Sequence, residues 1–376
     1  MNRFAPLALA AAAVVAILIG ISLVVRPPKV GPPSTPGPTQ TSLAVPIGAG
    51  TWTATDEMAV ARYEHTTTLL ADGRVLVAGG RSSSNDVLAS AELFDPETGS
   101  WSPAADMLMP IADPTATLLH DGRVLVVGNN DSELYEPNSD SWRAAAHVGS
   151  IGPTSPGPAT LLADGRVLIT ASMATPRLYD PADDSWSETG PMLTPRYNHV
   201  ATLLADGSVL VAGGDVPPDV GLISTERYDP ATNSWTLAGD IARPRTHVGT
   251  LLPDGRVLDV GWSRGGGPFA ELYDPDMGTW SSIDIPLPLE GSGAAAPLLA
   301  DGTVLFVNLD GDTALYDSAS ASWATGRPMV QGRWQPTVTL LANGDVLVAG
   351  GDAGRLHGGA PVGMSSAEVY HVGAGQ

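Results

Sequence analysis

Apolar residues in this chain fall in short leucine and valine runs on either side of a tight polar dipeptide. The first instance is Thr68-Leu69-Leu70-Ala71-Asp72-Gly73-Arg74-Val75-Leu76-Val77-Ala78-Gly79-Gly80. The same pattern returns near Thr117, Thr160, Thr202, Thr250, Pro297 and Thr339. Its dipeptides are Asp72-Gly73, Asp121-Gly122, Asp164-Gly165, Asp206-Gly207, Asp254-Gly255, Asp301-Gly302 and Asn343-Gly344, at steps of 49, 43, 42, 48, 47 and 42 residues. A period of that size means a propeller blade or a helical solenoid. The dipeptides choose the propeller. Asp-Gly and Asn-Gly suit a type I′ turn, whose two central residues need positive φ. The β-branched and leucine runs flanking them read as strands. Each repeat therefore opens with a hairpin, strands a and b.

A third strand ends each time in an aromatic: Phe94, Tyr135, Tyr179, Tyr228, Tyr273, Tyr316 and Tyr370. A turn and a tryptophan follow in six repeats, at Trp101, Trp142, Trp186, Trp235, Trp280 and Trp323. After Tyr370 the chain ends with no tryptophan, and the missing one is Trp52, ahead of the first complete repeat. The prediction is an all-β, seven-bladed propeller with four antiparallel strands per blade. An amino-terminal outer strand closes the ring and leaves no open sheet edge.

The glycine pairs Gly79-Gly80, Gly213-Gly214 and Gly350-Gly351, the later Tyr-Asp-Pro and the tryptophan six residues past that aspartate resemble kelch repeats. The resemblance covers residues 51–371. Leads such as Arg62-Tyr63-Glu64-His65 and Arg196-Tyr197-Asn198-His199 are similar to the bacterial kelch subgroup related to the galactose oxidase propeller. Blades 2, 3 and 6 depart from it, with Gly128-Asn129, Ala171-Ser172 and Asn308-Leu309 in place of the glycine pair.

Phe4 to Val25 is a 22-residue apolar run. A bilayer core takes about 20 such residues in a helix, and no Ala-x-Ala cleavage site follows. Residues 1–25 read as a transmembrane anchor, with a cleaved signal and secretion as the alternative. Residues 26–50 are a Pro-rich linker that cannot pack a core, and residues 51–376 are the propeller. The short basic lead ahead of the apolar run places the propeller outside the membrane.

The net charge of −21 makes nucleic acid a poor partner. Zero cysteines exclude disulfides, thiol nucleophiles and thiolate metal sites. The same absence excludes the copper centre that the galactose oxidase resemblance would imply, because that centre needs a tyrosine cross-linked to cysteine. His65, His199 and His247 precede strand a in three blades without metal-ligand spacing. The reading assigns no catalytic residue, no metal and no cofactor.

The a–b and c–d turns share one face and are nearly constant in length. On the other face the b–c connections vary. From the second glycine position to the aromatic they span 14, 6, 7, 14, 11, 7 and 19 residues in blade order. Variable loops on a rigid scaffold are where specificity sits. The d–a segments bring Arg62, Arg196, Arg243, Arg245 and Arg333 to that face, a candidate cationic mouth for a carboxylate or acidic glycan. Trp262 and Trp334 lie outside the repeat position and could stack on a sugar or anchor a protein. The leading expectation is an envelope-displayed, non-enzymatic module that binds a protein or glycan. The alternative is a glycan-acting enzyme with its site at the axis.

Overall fold

Seven four-stranded units arrange themselves as the repeat dictates. The computed structural model describes residues 50–373 apart from 129, 152–155, 171–174, 264–266, 286–295 and 356–357, with backbone alone at 245–247, 262 and 263. Blade 1 is Thr66–Leu69, Val75–Ala78, Ala91–Asp95 and Ser100–Ala104, each strand antiparallel to the next. Blades 2 to 5 repeat this order, from Thr115–Leu118 to Thr279–Ile283. In blade 6 the innermost strand shrinks to one bridge, Leu298 to Val304. Blade 7 joins Thr337–Leu340, Val346–Ala349 and Ala367–His371 to the amino-terminal strand Thr51–Ala54. The two chain ends thus complete one sheet, with Trp52 opposite Tyr370.

Strand b explains the unbroken apolar runs. Val75, Leu76, Val77 and Ala78 are all buried, as are Val209 to Ala212 and Val346 to Ala349. A strand covered on both faces by neighbouring sheets has no polar side to alternate with. The core lies between blades. One layer packs Leu76 and Ala78 of blade 1 on Val124, Val126 and Tyr135 of blade 2. Another packs Val75 and Phe94 of blade 1 on Leu347, Ala349 and Val369 of blade 7, closing the ring. In every blade the strand-c aromatic meets its tryptophan at 4.9–5.1 Å between ring centroids. Trp52 is half-buried, and its indole N–H donates to the Arg327 carbonyl of blade 6 at 2.9 Å.

The a–b hairpin differs from the type I′ expectation. Gly73 has φ +90°, whereas Asp72 is not among the described residues with positive φ. Gly73 N–H donates to Leu70 O at 3.1 Å, and Leu70 N–H to Arg74 O at 2.8 Å. This is the three-residue loop that ends in a left-handed glycine. Asp72 Oδ1 then accepts from Arg74 N–H at 3.1 Å, the local bond that makes aspartate a good turn residue.

The expected anchor, and the linker up to residue 49, lie outside the described residues. Among the described residues no helix is long and apolar enough to cross a membrane.

Candidate functional site

The d–a segments carry the structural logic of the variable face. Those of blades 1, 2, 4, 5 and 7 begin with a buried apolar residue, Met58, Met107, Met192, Ile241 and Met329. The next two backbone N–H groups point inward. In blade 4, Leu193 N–H and Thr194 N–H donate to the two oxygens of Glu226 at 2.7 and 2.9 Å. Glu92, Glu133 and Glu368 take the same pairs in blades 1, 2 and 7. In blade 5 Glu271 accepts from Ala242 N–H. These strand-c glutamates were not singled out in the sequence. Their signal is a Glu two residues before the aromatic, as in Ala91-Glu92-Leu93-Phe94.

Four residues after the buried methionine comes the arginine. Arg62, Arg196 and Arg333 are fully buried at 0% exposure. Each guanidinium meets its blade's glutamate: Arg62 to Glu92 at 2.9 Å, Arg196 to Glu226 at 2.6 Å and Arg333 to Glu368 at 2.9 Å. Each also donates to two carbonyls where strands b and c part. For Arg196 these are Gly213 O at 2.8 Å and Ser224 O at 2.7 Å. Burial pulls the three guanidinium pKa values down, and the glutamates pull them back up. Arginine's high starting value keeps them charged. The cationic mouth is therefore not formed by these three. Their charge is neutralised inside their own blades. Arg243 is exposed on the blade 5 crossover. Arg245 stands four residues after Ile241, the register of the buried arginines, but its side chain and that of Trp262 lie outside the described residues. Trp334 is half-buried with its indole nitrogen covered.

The glycine pairs belong to the same device. Gly79 and Gly80 have φ of +67° and +89°. A Cβ on Gly80 would stand 2.5 Å from Tyr63 O. Only glycine allows this turn under the crossover, and the turn leaves Gly79 O 3.1 Å from Arg62 Nη1.

Two arginines not anticipated from the sequence do reach the surface of this face. Both come from b–c loops at the seam of blades 1 and 7. Arg81 Nε is 3.0 Å from Glu64 Oε2, and Arg355 Nη2 is 3.9 Å from Glu64 Oε1. The Arg355 guanidinium also lies 5.9 Å from the Tyr63 ring centroid and 3.4 Å from Asp352 Oδ2.

The face is also apolar. Of the eleven exposed large hydrophobics among the described residues, eight lie on it: Val87, Leu108, Met109, Leu193, Val220, Ile223, Val330 and Val362. The opposite face carries exposed Asp–Arg hairpin pairs such as Asp72–Arg74 and Asp254–Arg256. At the axis a cavity of about 380 Å³ is lined by residues in and just before strand a; among the described residues His199 and Thr250 bring its polar side chains, and the side chain of His247 lies outside the described residues. His65 and His199 are buried, with Nε2 3.0 Å from Thr337 Oγ1 and 2.7 Å from Thr170 Oγ1 of the preceding blades.

A model of the Kelch motif matches residues 64–108. The chain is thus a seven-bladed β-propeller that carries a Kelch motif in its first blade. Among solved structures 1341 chains are similar, so the scaffold is widely shared and does not choose a function. One of them is a novel fungal alcohol oxidase of the AA5 family with catalytic diversity, in complex with copper. It has 18% identity and a TM-score of 0.70, and the match covers 86% of this chain and 76% of that one. No curated protein matches this chain at a significant level. The likeness is one of fold. The cross-linked tyrosine–cysteine pair of galactose oxidase cannot form without cysteine. Among the described residues no three His, Asp or Glu side chains are grouped to hold a metal ion. The residues present do not fit such a centre.

Proposed function

We propose that this propeller is a non-enzymatic binding module that takes a protein partner on its b–c/d–a face and is displayed outside the membrane by its amino-terminal segment. The observation that carries the reading is the apolar asymmetry. Eight large exposed apolar side chains share the loop face, while the hairpin face carries charge pairs. Clustered exposed apolar side chains mark interaction surfaces, and a protein partner buries them better than a hydrated glycan does. Among the described residues the axial cavity offers two polar side chains, His199 and Thr250, which lends the enzyme alternative little support.

The test is capture from envelope extract by residues 41–376, compared with the triple variant Leu108→Ser/Leu193→Ser/Val330→Ser. Specific capture that the variant loses at unchanged thermal melting is expected. Equal capture by both, or binding only to a glycan array, overturns the protein reading. Deleting residues 1–30 should release a soluble, folded propeller. A product that stays in the membrane fraction would overturn the anchor.

A further inference from the structure

From the blade 1–7 seam we infer that Arg81 and Arg355 form a carboxylate-binding site on the loop face, which takes an acidic side chain of the protein partner and which Glu64 fills in its absence. The inference rests on the proposed protein-binding face and names one chemical anchor within it.

Three observations carry it. Arg355 is held ready but unspent. Asp352, with 0% side-chain exposure, uses Oδ1 to accept from Gly354, Arg355 and Val362 N–H at 2.8, 3.3 and 2.8 Å. That fixes the loop and leaves Oδ2 facing Arg355. Beyond the Tyr63 ring, the guanidinium has ion-pair contacts at 3.4 and 3.9 Å and donates no hydrogen bond to any described residue. Its five N–H donors form a planar fork that suits a carboxylate. The fork is 39% exposed and rests near the Tyr63 ring, and the Tyr63 hydroxyl is tied to Asn85 at 2.6 Å.

The spacing already holds a carboxylate. Glu64 offers one oxygen to Arg81 at 3.0 Å and the other toward Arg355 at 3.9 Å. The loose second contact is where an incoming carboxylate gains most.

Glu64 is also an unusual choice of residue. It sits in the left-handed region with φ 52°, a position repeated at Asp113, Asn198 and Gln335. Asp and Asn tolerate that conformation, whereas longer side chains gain no local hydrogen bond from it. The two long ones, Glu64 and Gln335, fall in blades 1 and 7, the blades that meet at this seam. Local preference does not explain a glutamate here. Its reach to both arginines does. Val87, bridged to Arg81, and Val362, whose N–H donates to Asp352 Oδ1, are exposed on the loops of the same two blades, which favours an acidic residue flanked by apolar ones over a uronic acid.

The probe is N-acetyl-L-glutamate α-amide, titrated against the full chain while the arginine Nε–H signals are followed by NMR. Saturable millimolar binding with shifts at Arg355 and Arg81 is expected, with none from the N-acetyl-L-glutamine amide. Arg355→Gln should abolish the shifts at unchanged thermal melting. Glu64→Gln should tighten the probe about three-fold, because it removes a competing part-exposed ion pair. Equal binding of the glutamate and glutamine probes, or no gain from Glu64→Gln, overturns the inference. Galacturonate binding with the glutamate probe silent overturns it in favour of a glycan. A partner that the triple leucine and valine variant loses but Arg355→Gln keeps sinks this inference and leaves the protein-binding face intact. A partner that neither variant loses sinks the face reading, while the probe titration still reports on Arg355.

Discussion

Blades 4 and 2 come from one repeat, and their crossovers differ most consequentially at one position. In both, a buried methionine is followed by two N–H groups that donate to a strand-c glutamate, Glu226 or Glu133. Four residues on from the methionine, blade 4 has Arg196 and blade 2 has Ile111. Arg196 caps Gly213 O and Ser224 O, the carbonyls at which strands b and c diverge. Blade 2 has nothing charged to do so, and its b–c connection is short. The correlation extends round the ring. Blades 1, 4 and 7 have the buried arginine and connections of 14, 14 and 19 residues. Blade 5 has Arg245 in the same register and 11. Blades 2, 3 and 6 have no arginine there and span 6, 7 and 7. Backbone groups at the end of a ladder must find partners when buried. A guanidinium that supplies them frees the chain beyond to wander. Arg62, Arg196 and Arg333 are the footings of the variable loops rather than their binding surface.

The largest effect should come from breaking one footing. Glu226→Gln leaves Arg196 buried without its counter-charge, and removing one member of a buried pair costs about 3–5 kcal/mol. Urea melts of the variant would measure it. A loss below about 1 kcal/mol would mean that the carbonyls alone satisfy the guanidinium and that the pair is incidental.

Acid should then separate blade 1 from blade 2. Blade 1 places His65 at the position where blade 2 has Pro114. Burial, then the Arg62 charge, lowers the His65 pKa to about 3. Its folded value lies below the unfolded one of about 6.5, so the unfolded chain binds more protons between the two. Stability from this group is complete above about pH 6.5 and is lost as pH falls toward 3. By pH 4 the loss amounts to about 3 kcal/mol. His65→Gln should flatten the limb between pH 6.5 and 4 and leave the steeper fall below 4, where exposed carboxylates such as Asp72 and Asp121 lose their arginine and backbone partners. An unchanged limb would remove His65 from the account.

Glu133→Gln is the counterpart of the first test and should be mild. Burial raises the Glu133 pKa, opposed by the Leu108 and Met109 N–H bonds. A raised folded value means this carboxylate opposes folding at neutral pH, and that opposition fades as pH falls through it. Neutralising the side chain relieves it but gives up one good acceptor. The net change should stay within about 1 kcal/mol. A loss equal to that of Glu226→Gln would break the distinction between the two blades.

Most of the scaffold could be read in the sequence because strand b is buried on both sides and every hairpin carries its own dipeptide. Trp52 closing the ring opposite Tyr370 followed from counting tryptophans. The candidate site was harder to read. Arginine next to an aromatic in a loop looks like surface chemistry until its partner is known, and Glu226 stands 30 residues away from Arg196. The link was present in residues already on view, since the glycine pair, the arginine and the long connection occur together in blades 1, 4 and 7. Arg81 and Arg355 left no repeat signal at all, because they sit in the loops where the period breaks down.

The smallest effect concerns the surface those footings support. Leu108 of blade 2 and Leu193 of blade 4 occupy the same crossover position, one residue after a buried methionine, and each is 57% exposed. Both donate backbone N–H to the glutamate beneath, which serine does equally well. Leu108→Ser and Leu193→Ser should each leave stability within about 0.5 kcal/mol, as exposed substitutions do. Equal results in the two blades would mean that the outer side chain is independent of the arginine footing. If Leu193→Ser alone destabilises by more than about 1 kcal/mol, the side chain packs on the long blade 4 loop and belongs to the scaffold. The loop face would then lose one of the apolar side chains on which its reading as a protein-binding surface depends.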